Sequence, residues 1–137
     1  MRISRDEMLV RIAEVVRERS TCGRKQVGAV LAVDGRPVSI GYAGAPSGLP
    51  HCSETCDLSQ PCTRTVHAEM NCLVFAARHG IKVEGSTVYC TLEPCLKCSQ
   101  AMLNAGVARV VFTEAYRDHA GVELLRSVGI EVMQWIR

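Results

Sequence analysis

Two short segments carry residues whose types and spacing suit hydrolytic metal chemistry: His67-Ala68-Glu69 and Pro94-Cys95-Leu96-Lys97-Cys98. One imidazole and two thiols are ligands that zinc accepts. A hydrolytic zinc centre takes three protein ligands and leaves the fourth position to water. His67, Cys95 and Cys98 fit that incomplete shell. Glu69 stands two residues from the histidine, near the metal without being needed as a ligand, and is therefore the candidate catalytic proton carrier. A Cys-x-x-Cys alone would equally suit a redox pair or half of a structural zinc knot, and a His-x-Glu alone a solvated turn. Their combination in this order favours the hydrolytic centre. Zinc at such a site lowers the pKa of water to about 7, and Glu69 would take and return protons there.

The elements that must position these residues follow from hydrophobic spacing. Met8, Leu9, Ile12, Val15 and Val16 recur at helical intervals, which predicts a helix over residues 4–20 with Ser4 as N-cap and Glu7 completing a capping box. Residues 26–33 read as a buried strand. Asp34-Gly35 is a hairpin turn signal, and residues 37–42 return as the partner strand. Residues 44–65, with Pro46, Gly48, Pro50, Pro61 and three cysteines, read as a loop. A helix is expected over 66–80, a strand over 86–91, and a helix from Pro94 to about 106, placing Cys95 and Cys98 on its first turn. A strand over 108–113, a helix over 118–128 and a strand over 129–135 complete the chain. The order αββαβαβαβ implies an α/β fold, a mixed sheet covered by helices on both faces.

At 137 residues, with 47% hydrophobic residues, the chain suits one globular domain spanning 1–137. The net charge of +2 is too mild for a polyanion-binding domain, and the basic residues are scattered apart from Arg24-Lys25. Nucleic acid is thus not the expected partner, while a small anionic substrate is compatible. Residues 1–7 are charged, and no segment approaches the ~20 apolar residues of a membrane span, so a cytoplasmic location is expected. Eight cysteines then point to metal rather than disulfides.

His-x-Glu followed by Pro-Cys-x-x-Cys is a general signature of zinc-dependent nucleobase deaminases. The chain resembles the cytidine deaminase superfamily, closest to the deoxycytidylate (dCMP) deaminases of phages and bacteria. The matching stretches are Gln26-Val27-Gly28-Ala29-Val30, Asp34-Gly35-Arg36, Gly41 to Gly48, Arg64 to Asn71, and Tyr89 to Cys95. The resemblance implies a three-layer α/β/α fold with a five-stranded mixed sheet whose last two strands are parallel. It implies a catalytic zinc, deamination of a cytosine nucleotide such as dCMP to dUMP, and a homo-oligomer, often a hexamer. Relatives frequently respond to dCTP and dTTP as effectors. Where the family usually reads Gly-Tyr-Asn-Gly, this chain has Gly41-Tyr42-Ala43-Gly44. That asparagine typically contacts the sugar or lines the pocket, and Ala43 cannot hydrogen-bond, so a modified cytosine nucleotide is an alternative substrate. The wording Thr91-Leu92-Glu93-Pro94-Cys95 is shared with tRNA adenosine deaminases and pyrimidine-biosynthesis deaminases. Glu93 reads as structural, since Glu69 already fills the acid–base role. Other readings are deamination of a base within RNA and a zinc-binding interaction protein in which Glu69 is idle.

The resemblance also implies a second, structural zinc. Cys22 and Cys52 align with its ligands, and Cys56 and Cys62 are favoured to complete four thiolates, with His51 the substitute. Cys72 and Cys90 read as core residues. Softer candidates for substrate contact are the Ala68 backbone N–H at a helix N-terminus, Tyr42 and Ala43 along the pocket, and Tyr116 stacking on the base. Arg24, Lys25 and Arg117 are candidates for a phosphate. Asn71 and Arg78 are suggested for an oligomer or effector contact.

Overall fold

The computed structural model describes residues 1–52 and 56–137, so residues 53–55 of the expected 44–65 loop lie outside the described residues. The elements in order are α1 (Arg5–Arg17), β1 (Gly28–Val33), β2 (Arg36–Tyr42), α2 (Ala68–His79), β3 (Thr87–Leu92), α3 (Leu96–Ala105), β4 (Arg109–Glu114), α4 (Ala120–Ser127) and β5 (Glu131–Gln134). The strands form one sheet in the order β2-β1-β3-β4-β5. β1 runs antiparallel to β2 and β3, while β3–β4 and β4–β5 are parallel. Each parallel pair needs a crossover, which α3 and α4 supply. The β1–β2 connection instead turns in two residues: Asp34 and Gly35 both have positive φ, at 52° and 75°, as the tightest hairpin turns require.

Alternation along the strands sorts the core into two layers. Val30, Ala32, Tyr89 and Val111 meet Leu9, Val10, Ala13 and Val16 of α1 on one face. Ala29, Leu31, Val88, Cys90, Val110 and Phe112 meet Ala68 and Cys72 of α2, Met102 of α3, and Val122 and Leu125 of α4 on the other. The result is the expected three-layer arrangement. Two glycines set how closely the helices approach. A Cβ on Gly28 would lie 2.4 Å from the Ala13 carbonyl oxygen, and one on Gly41 would lie 2.3 Å from that of Ala68. The second contact seats the start of α2, where His67 and Glu69 stand.

Local capping departs from expectation in two places. Ser4 Oγ accepts the Glu7 N–H at 3.0 Å, but the Glu7 carboxylate bonds the Arg11 guanidinium at 3.1 Å instead of reaching back to close the capping box. Pro94 and Cys95 do not lie on the first turn of α3. Cys95, with extended φ −74° and ψ 171°, is its N-cap, and its sulfur accepts the Cys98 N–H at 3.5 Å. A thiolate acceptor can replace the usual hydroxyl or carboxylate in this role.

Candidate active site

His67 and Cys95 occupy equivalent places on different elements: each is the extended N-cap residue of a helix, α2 and α3. Both helices begin at one end of the sheet, and β3, whose last residue is Leu92, delivers the chain directly into the Cys95 cap. His67 Nδ1 thereby comes within 3.5 Å of Cys95 Sγ and 3.4 Å of Cys98 Sγ. Among the described residues, these three form the one group of histidine, cysteine or acidic residues whose ligand atoms all lie within 4.8 Å of one another. The donor set, one imidazole and two thiols at converging helix N-termini, suits zinc with a position left open. Hydrogen bonds from Cys98 and His67 hold the Cys95 thiol well below its usual pKa. Cys98 is raised, first by its hydrogen bond to Cys95 and then by burial. Both would bind a metal as thiolates, releasing their protons on binding.

Glu69 lies in the first turn of α2 and is 4% exposed. Burial pushes its carboxyl above the usual range, against the opposing effects of a backbone hydrogen bond and the nearby His67. A buried carboxylate beside the ligand group is the kind of side chain that can take up and return protons.

A cavity of about 440 Å³ opens onto these groups. It collects most of the residues that sequence reasoning singled out for substrate: Arg24, Lys25, Ala43, Ala68, Tyr116 and Arg117 all line it, with His67, Glu69 and Cys95. Tyr42 does not. It packs with the α1 layer on the opposite face of the sheet, with the Arg19 guanidinium 6.0 Å from its ring centroid. Strand alternation explains the correction: with Gly41 facing α2, residue 42 must face the other way. Two of the cationic residues are already engaged. The Lys25 ammonium is 2.8 Å from the Glu114 carboxylate, and the Arg24 guanidinium donates to the carbonyls of Asp57 (2.9 Å) and Gln60. Asn71 donates to the Tyr42 carbonyl at 2.9 Å, fixing the chain just before the cavity wall at Ala43.

Cys22, Cys52 and Cys62 gather around Thr65. Its hydroxyl is 3.7 Å from Cys22 Sγ and 3.3 Å from Cys52 Sγ. The same hydroxyl, with the backbone N–H groups of Thr65 and Arg64, lowers the Cys62 thiol to about 7. Burial opposes ionisation of Cys22, but backbone N–H groups of Lys25 and Arg24 outweigh it and lower its pKa. Cys56 lies against Gly23, and its N–H bonds the Cys52 carbonyl at 2.8 Å. Cys72 and Cys90 are buried in the α2-side core, as their apolar surroundings suggested.

Two polar cavity residues escaped the sequence reading, Thr65 and Glu114. Thr65 could have been flagged by its place between the cysteine-rich loop and His67. Glu114 could not, because its partner Lys25 lies far away in the chain. Glu93 was read as structural, but its partners were not legible. The Glu93 carboxylate is bonded by His119 Nδ1 at 2.8 Å and by the Tyr116 N–H at 3.2 Å, and it raises the His119 pKa.

Fold and site together define a zinc-dependent deaminase class, and the chain belongs to it: residues 3–114 match the cytidine and deoxycytidylate deaminase zinc-binding region. It is 40% identical to the deoxycytidylate deaminase of Mycobacterium phage D29 over 121 residues, covering 78% of this chain and 92% of the relative. It is 35% identical to ComE operon protein 2 of Bacillus subtilis (strain 168), covering 97% and 72%. The crystal structure of dCMP deaminase from the cyanophage S-TIM5 in complex with dCMP and dUMP superposes with a TM-score of 0.89 at 33% identity, covering 98% of this chain and 99% of that one. No helix among the described residues is long and apolar enough to cross a membrane.

Proposed function

We propose that this chain is a zinc-dependent aminohydrolase converting dCMP and water to dUMP and ammonia. The observation that carries the reading is a buried carboxylate, Glu69, that lines the cavity together with His67 and Cys95 of the His67–Cys95–Cys98 group. The named relatives and the nucleotide-bound phage neighbour support the choice of substrate. His67, Cys95 and Cys98 would hold zinc, which supplies Lewis-acid activation of water. Glu69 accepts a proton from the attacking water and delivers protons to the ring nitrogen and the departing amine, so that ammonia leaves as the carbonyl forms. The Ala68 N–H, at the N-terminus of α2, is placed to bond the base carbonyl. Tyr116 offers its ring to the pyrimidine, and Ala43 lines the pocket without a polar group. Arg117 is assigned to the phosphate, with Lys25 joining it by exchanging its exposed partner, the Glu114 carboxylate, for the anion. Arg24 is assigned to holding the loop, because its guanidinium already bonds two loop carbonyls.

We also assign a second zinc to Cys22, Cys52, Cys56 and Cys62. The convergence of Cys22, Cys52 and Cys62 on Thr65, with Cys56 against Gly23, supports this set. The exposed apolar side chains Val74 and Phe75 on α2 support a homo-oligomer, whose mass light scattering would read.

The test is ammonia release from zinc-loaded protein on dCMP, deoxycytidine, dCTP, CMP and 5-methyl-dCMP, with and without dCTP or dTTP as effector. Preference for dCMP, abolished by Glu69→Gln, is expected. Preference for another member would move the substrate and keep the chemistry. No ammonia from any member would overturn the nucleotide assignment.

A further inference from the structure

Glu93 is a charged residue, 4% exposed, that the proton transfers above do not use. A carboxylate is costly to bury unless its oxygens are bonded. Here they are bonded by one short segment, the loop between β4 and α4. The Tyr116 N–H reaches Oε1 at 3.2 Å, and His119 Nδ1 lies 2.8 Å from Oε2 and 3.1 Å from Oε1. The Glu93 N–H in turn bonds the Glu114 carbonyl at 2.8 Å, at the point where that loop leaves β4.

The far end of the loop is tethered to the same stretch of chain. A Cβ on Gly121, in the first turn of α4, would lie 2.6 Å from the Pro94 carbonyl oxygen, 2.7 Å from that of Cys95 and 2.5 Å from Ser99 Oγ. Residues 115–119 are thus held at both ends to the turn that presents Cys95. Between those anchors stand Ala115, Tyr116 and Arg117, which line the cavity. Behind the loop, His119 and Glu93 also line a second, shallower groove of about 350 Å³. Without the carboxylate, residue 93 would keep only its backbone bond to Glu114, and the Tyr116 N–H and the His119 ring would lose their shared acceptor.

We propose that Glu93 is a positioning residue: its carboxylate, clasped by the Tyr116 amide and the His119 ring, sets Tyr116 and Arg117 at the cavity wall and so governs substrate affinity. This deepens the dCMP reading and rests on it. The competing role is support of the Cys95 turn alone. That role would show as lost zinc and lost kcat, whereas positioning of the wall shows in KM.

The experiment uses full-length, zinc-loaded protein bearing Glu93→Ala, His119→Ala or His119→Asn. His119 is largely exposed, so its variants fold even where Glu93→Ala does not. Expected are a KM for dCMP raised about tenfold in Glu93→Ala and about fivefold in His119→Ala, with kcat within about twofold and zinc content unchanged. His119→Asn, whose amide can replace the ring N–H, should return KM to within about twofold of wild type. Amides of residues 115–119 should exchange with solvent at least about tenfold faster in Glu93→Ala. A KM unchanged in His119→Ala, unchanged amide exchange, or a fall in kcat that tracks lost zinc would each overturn the proposal while wild-type turnover of dCMP stands. A wild type inert on dCMP would instead sink the substrate assignment, and this proposal with it.

Discussion

His67 and Cys95 stand on helix caps whose places are decided by the packing behind them, and Cys98 is buried in the first turn of α3. Cys22, Cys52, Cys56 and Cys62 stand outside the named helices and strands, in segments held by a threonine hydroxyl, backbone N–H groups and the Arg24 clamp on the Asp57 and Gln60 carbonyls. In the first region the ligand atoms already converge within 4.8 Å. In the second, the described thiols share a neighbour without reaching that spacing. A centre that must keep an open position for chemistry is built by the core. A centre that only ties a loop can leave its final geometry to the metal, since closing a long loop is where a cross-link contributes most.

The largest expected effect concerns the first region. Glu69→Gln removes the proton carrier without disturbing the ligands, so kcat should fall by about a thousandfold or more while bound zinc is retained. Parallel zinc analysis and steady-state kinetics would check it. Loss of zinc in that variant would mean that Glu69 is a ligand, and the contrast between shuttle and shell would collapse.

Next, Gly41→Ala should force α2 off the sheet, because the new methyl would meet the Ala68 carbonyl at 2.3 Å. A cost of about 3 kcal/mol in stability is expected, with weakened zinc retention at His67, read by chemical denaturation and chelator competition. Unchanged chelator resistance would show that the helix cap is not what preorganises the ligands.

Cys22→Ala tests the second region. It should lower zinc from two per chain to one and lower the melting temperature by several degrees, with turnover changed by less than about threefold. Equal zinc content in wild type and variant would remove the second site from the comparison.

Elements were legible because hydrophobic spacing and turn residues agreed along the chain: both ends of each of the nine named elements lie close to those read from periodicity. The grouping of His67, Cys95 and Cys98 was legible from residue types and spacing. Tyr42 was misplaced because a motif was read as a block, without the alternation that sends its middle residue to the other face. Pro94 suggested a helix start two residues early, since proline favours a first turn, yet the Cys95 sulfur took the cap instead. The Glu93–His119–Tyr116 contact had no local signature at all. It exists only through the β3–β4 pairing that brings distant segments side by side.

The smallest effect lies away from both cysteine regions and serves as their control. Arg109 donates to both Asp6 carboxylate oxygens at 2.9 Å and ties α1 to β4. That hydrogen bond holds the Asp6 pKa below its usual 3.8, against the opposing effect of burial. The folded pKa lies below the unfolded one, so the stabilisation is fully present above about pH 4 and is lost as pH falls through the folded value. Asp6→Asn should cost about 1 kcal/mol near neutrality and less in acid, with zinc content and kcat unchanged. Urea melts at pH 7 and pH 3 would read the difference.

The strand order has a temporal meaning as well. β1 and β2 can zip as a local hairpin, an event of about 1–10 μs. β3 must then find the other side of β1 after a long excursion through the loop and α2, and β4 must add in parallel beside it. Such non-local pairing is the slow part of folding. The His67 and Cys95 caps meet only once it is done, so the ligand group marks the topology-determining step. A chain caught before that step carries eight separate thiols, open to oxidation or to the wrong metal.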